Sequence, residues 1–449
     1  MDKIYGAALL TIVAADGEDA NVGLPGVRPG TRTRNFDQLC EEVWPDLYLA
    51  TTIESPLDPA GSVWASRGWT FQEQLLSGRL LLFYQGGVHW QCRKAFFYED
   101  APAATKIEPE QPCRLEQLSP RWAAPPRIIE KQAGENQDDY VPGPLFRPAV
   151  FVEYAKAVKE YTKRRLTFSD DILNAFEGIS SRLSDHFGSS FLAALPETYL
   201  EVALLWTPVV LQTRRESHSA LFPSWSWAGW EGQAECTAVG PDGREWIEST
   251  IKWYIKDGPL ASRLANEVGI GIDEVSLGCS LSSNSLSWMP IFESAAGFSG
   301  EVPAVELPNM RSPYLQLWTS CSFFTIVHRS WRTPDEIQMS SSVRRPIQAQ
   351  IHCATGSRRQ HAGYLTLNGD GPYEIVKGKY EFIVLSGAKV MGYDSISGNV
   401  KYSDEAQMYN VMLVEWDHTH QIASRLGIGR IFKQAWDMSL PIIRFVTIG

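Results

Sequence analysis

Apolar positions along the chain change their period several times, and the changes divide it. Ala8 to Ala15 is a β-rich apolar run with Leu9, Leu10, Ile12 and Val13, closed by the turn signal Asp16-Gly17. Residues 17–60 carry Gly, Pro and Asp without sustained periodicity and read mainly as loop. A short helix is predicted from Gly68 to Leu76, stopped by Ser77-Gly78. Arg79 to Tyr84 (RLLLFY) reads as a buried strand. The Gly86-Gly87 turn then returns the chain through Val88 to Cys92 as its hairpin partner.

Residues 101–148 hold nine of the 27 prolines and little apolar periodicity, which marks a linker. From 150 to 206 the period is helical. Phe151, Ala155, Val158 and Tyr161 share one face of a first helix. Ser169 is placed to cap a second, with Asp170 and Asp171 opposing its positive dipole end and Ile172, Phe176, Ile179 and Leu183 buried. Pro196 opens a third, carrying Leu200, Ala203 and Leu204. After Pro223 the period becomes two. Ile251, Trp253 and Ile255 alternate with polar neighbours, and so do Ile347, Ala349, Ile351 and Cys353. Strand runs follow at Tyr380–Leu385, Asn410–Trp416 and Ile442–Ile448, while 258–312 is a Ser-, Gly- and Pro-rich excursion. The expected fold is α+β: a partial α/β unit over 1–100, the linker 101–148, a helical segment 149–230 and a β-rich region 231–449.

Composition narrows the classes. In 449 residues, 44% hydrophobic and 21% charged is ordinary for a protein that buries a sizeable core. A net charge of −11 argues against a general nucleic-acid or anionic-membrane binder. Lys163-Arg164-Arg165 is a local basic run, read as the solvated end of a helix. No stretch reaches the roughly 18 apolar residues needed for a membrane span. The N-terminus does not read as a signal peptide, and no Asn-x-Ser/Thr acceptor occurs. The seven cysteines form no C-x-x-C pair, so the expectation is a reduced, cytoplasmic protein without a disulfide framework or metal site. Sixteen tryptophans allow either exposed rings that stack sugars or an aromatic core, and the core is favoured.

Three stretches resemble the fungal heterokaryon-incompatibility (HET) family. The first runs from Met1-Asp2-Lys3-Ile4-Tyr5 through Thr11-Ile12-Val13-Ala14 to Gly23-Leu24-Pro25-Gly26. The second is Arg67-Gly68-Trp69-Thr70-Phe71-Gln72-Glu73, followed by Leu76-Ser77 and Arg79, similar to that family's closing R-G-W-T-x-Q-E signature. The third comprises Leu166-Thr167 with Asp170-Asp171-Ile172-Leu173-Asn174-Ala175-Phe176, and Pro223-Ser224-Trp225-Ser226-Trp227. The S-Y-x-W-G and W-I-D-x-L-C segments that open such domains are not found here. Residues 1–100 are therefore expected to be the C-terminal half of a HET domain. Either the gene start is placed too late or the protein lacks the first half.

The resemblance implies an effector of fungal non-self recognition that promotes growth arrest or cell death with an unknown protein partner. A second implication comes from the likeness of HET to TIR domains. Ser66, Trp69 and Glu73 follow the order of a TIR helix motif, in which Trp and Glu four apart share a helix face. Glu73 would then be the catalytic carboxylate of an NAD hydrolase, stabilising positive charge on the ribose, with NAD as substrate rather than cofactor. Ser66, Arg67, Trp69, Gln72 and Arg79 are the accompanying motif residues. The plainer reading has Gln72 and Glu73 bonding the backbone at a helix start while Trp69 fills the core. A Trp-rich carbohydrate binder is the third reading. Gly427-x-Gly429, His352-Cys353 and the His418/His420 pair carry weaker signals, each read as packing or surface.

Overall fold

The computed structural model describes residues 2–17, 21, 23–24, 26–27, 39–51, 61–92, 96–99, 149–188, 190–216, 222–236, 246–248, 253–256, 263–264, 313–328, 346–354, 360–369, 378–393 and 400–449. The chain divides into two compact units, Met1–Pro125 with Glu160–Leu183 and Pro126–Lys159 with Ser184–Gly449. Helix and strand are mixed, with strand in excess, as an α+β chain requires. The linker expected over 101–148 and most of the 258–312 excursion lie outside the described residues.

The first unit is built on β1 (Thr11–Ala14), preceded by helix α1 (Asp2–Ala7). A hairpin, β2 (Cys40–Trp44) and β3 (Leu47–Ala50), precedes α2 (Val63–Ser66) and α3 (Thr70–Leu76). Strands β4 (Arg79–Tyr84), β5 (Gly87–Cys92) and β6 (Phe96–Tyr98) complete a four-stranded sheet of order β1-β4-β5-β6. β1 runs parallel to β4, with Thr11 opposite Leu80 and Ala14 opposite Phe83, and the remaining pairs are antiparallel. Gln85 (φ 49) and Gly86 (φ 74) make the β4–β5 turn, the two positive φ values that a tight hairpin needs. Period-two alternation puts Leu80, Leu82 and Tyr84 on one face, packed with Val13, Ala15 and Trp64.

Local expectations need correcting in this unit. The apolar run from Ala8 begins its strand only at Thr11, because the preceding residues close helix α1 and leave Leu9 78% exposed. The expected loop contains the β2–β3 hairpin, turned at Asp46 (φ 65). Its branched and aromatic residues favour extension, although none of the eleven positions from 40 to 50 is buried. Ser169 is not the helix cap. It lies inside a 3-10 turn, Ser169–Ile172, whose cap position falls on Phe168, and the α-helix starts at Asn174. The buried face is as read: Ile172, Phe176, Ile179 and Leu183 are all inside. On the helix Ala149–Thr162, which lies mostly in the second unit, Phe151, Val158 and Tyr161 are buried, but Tyr154 rather than Ala155 completes the stripe.

The second unit centres on six long strands: β7 (Tyr314–His328), β8 (Gln348–Cys353), β9 (His361–Leu367), β10 (Lys379–Tyr393), β11 (Val400–Trp416) and β12 (Ile422–Phe432). The pairing runs β10-β11-β12-β9-β8-β7 and closes where β7 also pairs β10, through Cys321–Thr325 and Lys379–Ile383. The result is an antiparallel barrel without an open edge along that path. Phe324, Ile351, Leu365, Phe382, Val411 and Leu413 fill it, as small barrels are filled by side chains. The short helix Lys433–Met438 adds Trp436, stacked on Phe324 at 5.5 Å with its Nε1 donating to Ser320 Oγ at 2.9 Å. A last strand, Ile442–Ile448, pairs with β7 and β12.

The helical extension expected over 149–230 does not run that far: past Phe187 the chain holds short bridging strands, 3-10 turns and the helix Leu200–Ala203. Pro196 caps a 3-10 turn there. The tryptophans of the Pro223–Trp230 stretch are inside: Trp225 is 0% and Trp227 1% exposed, so they form no sugar-stacking platform. Arg425 of β12 ties residues 204–206 and Asn368 together. Buried among carbonyls, its guanidinium donates to Leu204 O at 2.8 Å, to Trp206 O and to Asn368 Oδ1 at 3.1 Å, and lies 3.7 Å over the Trp206 ring. Gly427 and Gly429 belong to a strand, where a Cβ would come 2.6 Å from Thr366 O and 2.3 Å from Tyr364 O. Close strand approach, not phosphate binding, explains that pair.

Candidate functional site

Glu73 sits in the first turn of α3 and is partly exposed. Both carboxylate oxygens are engaged from other elements. The Tyr5 hydroxyl of α1 donates to Oε1 at 3.0 Å, and Trp64 Nε1 of α2 donates to Oε2 at 3.0 Å. Burial first, and then the adjacent Glu73 charge and hydrogen bond, push the Tyr5 pKa up to about 12. Ser62 caps α2 by accepting from Ala65 N at 3.1 Å, and this cap aims Trp64 inward. The carboxylate therefore joins three helices of one unit.

Trp69 does not take the place expected of it. It precedes α3, is 36% exposed, and its Nε1 donates to Asp171 Oδ2 at 3.2 Å. It neither fills the core nor bonds Glu73, and Trp64 supplies the indole instead. The other motif residues turn toward the segment 164–174. Ser66 O accepts from Arg165 N at 2.7 Å, and Gly68 N donates to Arg165 O at 2.7 Å. Arg67 O accepts from Arg164 Nη1 at 3.3 Å, and Gln72 Nε2 donates to Asn174 O at 3.1 Å. A Cβ on Gly68 would stand 2.4 Å from Leu166 Cδ2, so a larger residue there would have to displace the Leu166 side chain. Arg79 is separate from this group and donates to Leu9 O at 3.3 Å.

Residues 1–73 match the family described as Heterokaryon incompatibility protein (HET). The match ends on Glu73, so Tyr5, Trp64 and the carboxylate that joins them all lie inside the HET segment. The match is consistent with a partial HET domain at the N-terminus and supports a heterokaryon-incompatibility-related function at the family level. No curated protein and no solved structure matches the chain.

Two residues around Glu73 were missed from sequence. Tyr5 stands in the resembling stretch but carried no chemical signal alone. Trp64 had one available clue, the Ser62 cap that starts a helix just before the signature. Among the described residues no group of three or more His, Cys, Asp or Glu is arranged to hold a metal ion. None of their helices is long and apolar enough to cross a membrane.

Proposed function

We propose that this protein is an effector of fungal non-self recognition, promoting growth arrest or cell death when engaged by a protein partner. The observation that carries this reading is the HET match over residues 1–73. Within it Glu73 acts as a joint. A carboxylate accepting from a phenol and an indole on two other helices fixes how α1, α2 and α3 meet, and each oxygen keeps a further lone pair. The Arg67–Gln72 stretch forms the seat for residues 164–174, so the second family-like motif and the Leu166–Phe176 part of the third are two sides of one contact.

Inducible expression of the full chain in a filamentous fungus tests this, with NAD measured in the same cultures. Growth arrest with unchanged NAD, retained in Glu73→Gln, is the expected result. NAD consumption abolished by Glu73→Gln in a folded protein would instead make Glu73 the carboxylate of a TIR-like NAD hydrolase. Neither arrest nor NAD loss would remove the effector reading.

A further inference from the structure

The outer face of the barrel carries a cleft of about 710 Å³, within the roughly 300–1,000 Å³ range of small-ligand sites. Its floor is a row across paired strands. Phe323 of β7 stands opposite Glu381 of β10, and Glu381 opposite Val414 of β11. Their chain neighbours Phe324, Phe382 and Leu413 point the other way, into the core. Phe323 is 48% exposed, a large aromatic left bare on the cleft floor. Trp416 adds further aromatic surface, whereas Trp230 lines the cleft but is buried at 5% exposure beneath Arg214.

The polar groups of this cleft are unevenly satisfied. Glu381 is occupied: Trp416 Nε1 donates to it at 2.7 Å and Arg444 Nη1 at 3.4 Å. Arg214 lies 5.2 Å over the Trp230 ring and donates to Gly229 O at 2.7 Å and Phe222 O at 2.8 Å. Among the described residues no carboxylate pairs with it. Partial desolvation pushes its pKa down to about 10, although the side chain keeps an exposed surface. Lys379 is exposed on the same lining. The lining carries Arg214 and Lys379 against Glu381 and Glu415, and Arg444, from outside the lining, pairs with Glu381, which leaves Arg214 and Lys379 facing Glu415. Gln212 is fully buried, its Nε2 held by the carbonyls of Gly232 and Gln233 at 3.1 Å each. Its Oε1 is left without a hydrogen-bond partner, and the residue lines the cleft. A buried acceptor without a donor is costly, and a ligand N–H or O–H would satisfy it.

We propose that this cleft binds a small planar aromatic carboxylate bearing a hydrogen-bond donor. Its ring would lie on the Phe323–Trp416 surface, its carboxylate would face Arg214 and Lys379, and its donor would meet Gln212. The proposal is independent of the HET reading, which concerns residues 1–73.

Calorimetry on the full chain tests it with three probes: indole-3-acetate, its neutral amide, and 1-naphthaleneacetate, which keeps ring and charge but lacks the N–H. The expected result is saturable binding of indole-3-acetate, with both other probes weaker by roughly tenfold or more. Phe323→Ala and Lys379→Gln, at an exposed floor and an exposed rim, should each weaken binding several-fold while leaving the melt unchanged. Equal binding of acid and amide, equal binding of the naphthyl acid, affinity unmoved in both variants, or no heat at millimolar probe would each overturn the proposal. The probe comparison uses unaltered protein, so it stands even if a variant misfolds.

Discussion

At the scale of single residues, Glu73 and its two donors make the sharpest prediction. Glu73→Gln can turn its amide so that the oxygen meets Trp64 Nε1 and the nitrogen meets the Tyr5 oxygen. The cost should be about 1 kcal/mol or less. Glu73→Ala leaves the Trp64 indole N–H without its acceptor and should cost more, about 1–3 kcal/mol. Chemical denaturation of the two variants against the parent checks the order, and equal costs would refute the joint. Tyr5 adds a pH signature. Its folded pKa is raised to about 12 from the usual 10.0. The folded state thus holds this proton more tightly, and the stabilisation is present below pH 10 and lost as pH rises toward 12. Other tyrosines titrate there too, so the readout is the difference between parent and Tyr5→Phe. That difference should narrow across this window.

Elements add constraints that no residue carries alone. In the β9–β12 pair, Gly429 lets the Tyr364 carbonyl approach to where a Cβ would be 2.3 Å away. The obstacle is backbone, which cannot swing aside as a side chain would. Gly429→Ala should therefore lower the stability of the second unit by about 1–3 kcal/mol or more, visible as an earlier melt of its β-sheet circular dichroism. A neutral outcome would mean the strands can part without loss. Strand signals were legible from sequence, the alternation of Ile347–Cys353 and the apolar run Ile442–Ile448 among them. The strand Tyr314–His328 was not, because it pairs on both edges and is buried on both faces for much of its length, so its polar Thr319, Ser320 and Ser322 interrupt the pattern while lying inside. The helix Lys433–Met438 was missed for its brevity.

For the molecule as a whole, closure of the barrel concentrates stability on the residues that plug it. Trp436 is 2% exposed and contacts Phe324 and, edge to face, Tyr409. Trp436→Ala should leave a cavity and cost about 3–5 kcal/mol, enough to threaten the second unit outright. Guanidinium denaturation followed by barrel tryptophan fluorescence checks this, and a loss under 1 kcal/mol would show that the barrel closes without its plug. Arg425 is the polar counterpart, a fully buried cation whose charge is dispersed over three acceptors and one indole face.

Local pattern determined a good deal: the β4–β5 hairpin, the buried face of the helix from Asn174, the alternation of several barrel strands, and a HET-like stretch that the family match bears out over residues 1–73. These depend on periodicity and turn chemistry between near neighbours, which a linear chain displays. Tertiary structure decided the rest. It chose Trp64 over Trp69 as the indole beside Glu73, brought Tyr5 across 68 positions to the same carboxylate, and turned Arg67–Gln72 toward residues 164–174. It also closed six strands into a barrel and left a charged, aromatic cleft outside it. Each of these rests on contacts between residues far apart in the chain, and spacing along a sequence holds no information about which distant partner will satisfy a given donor or charge.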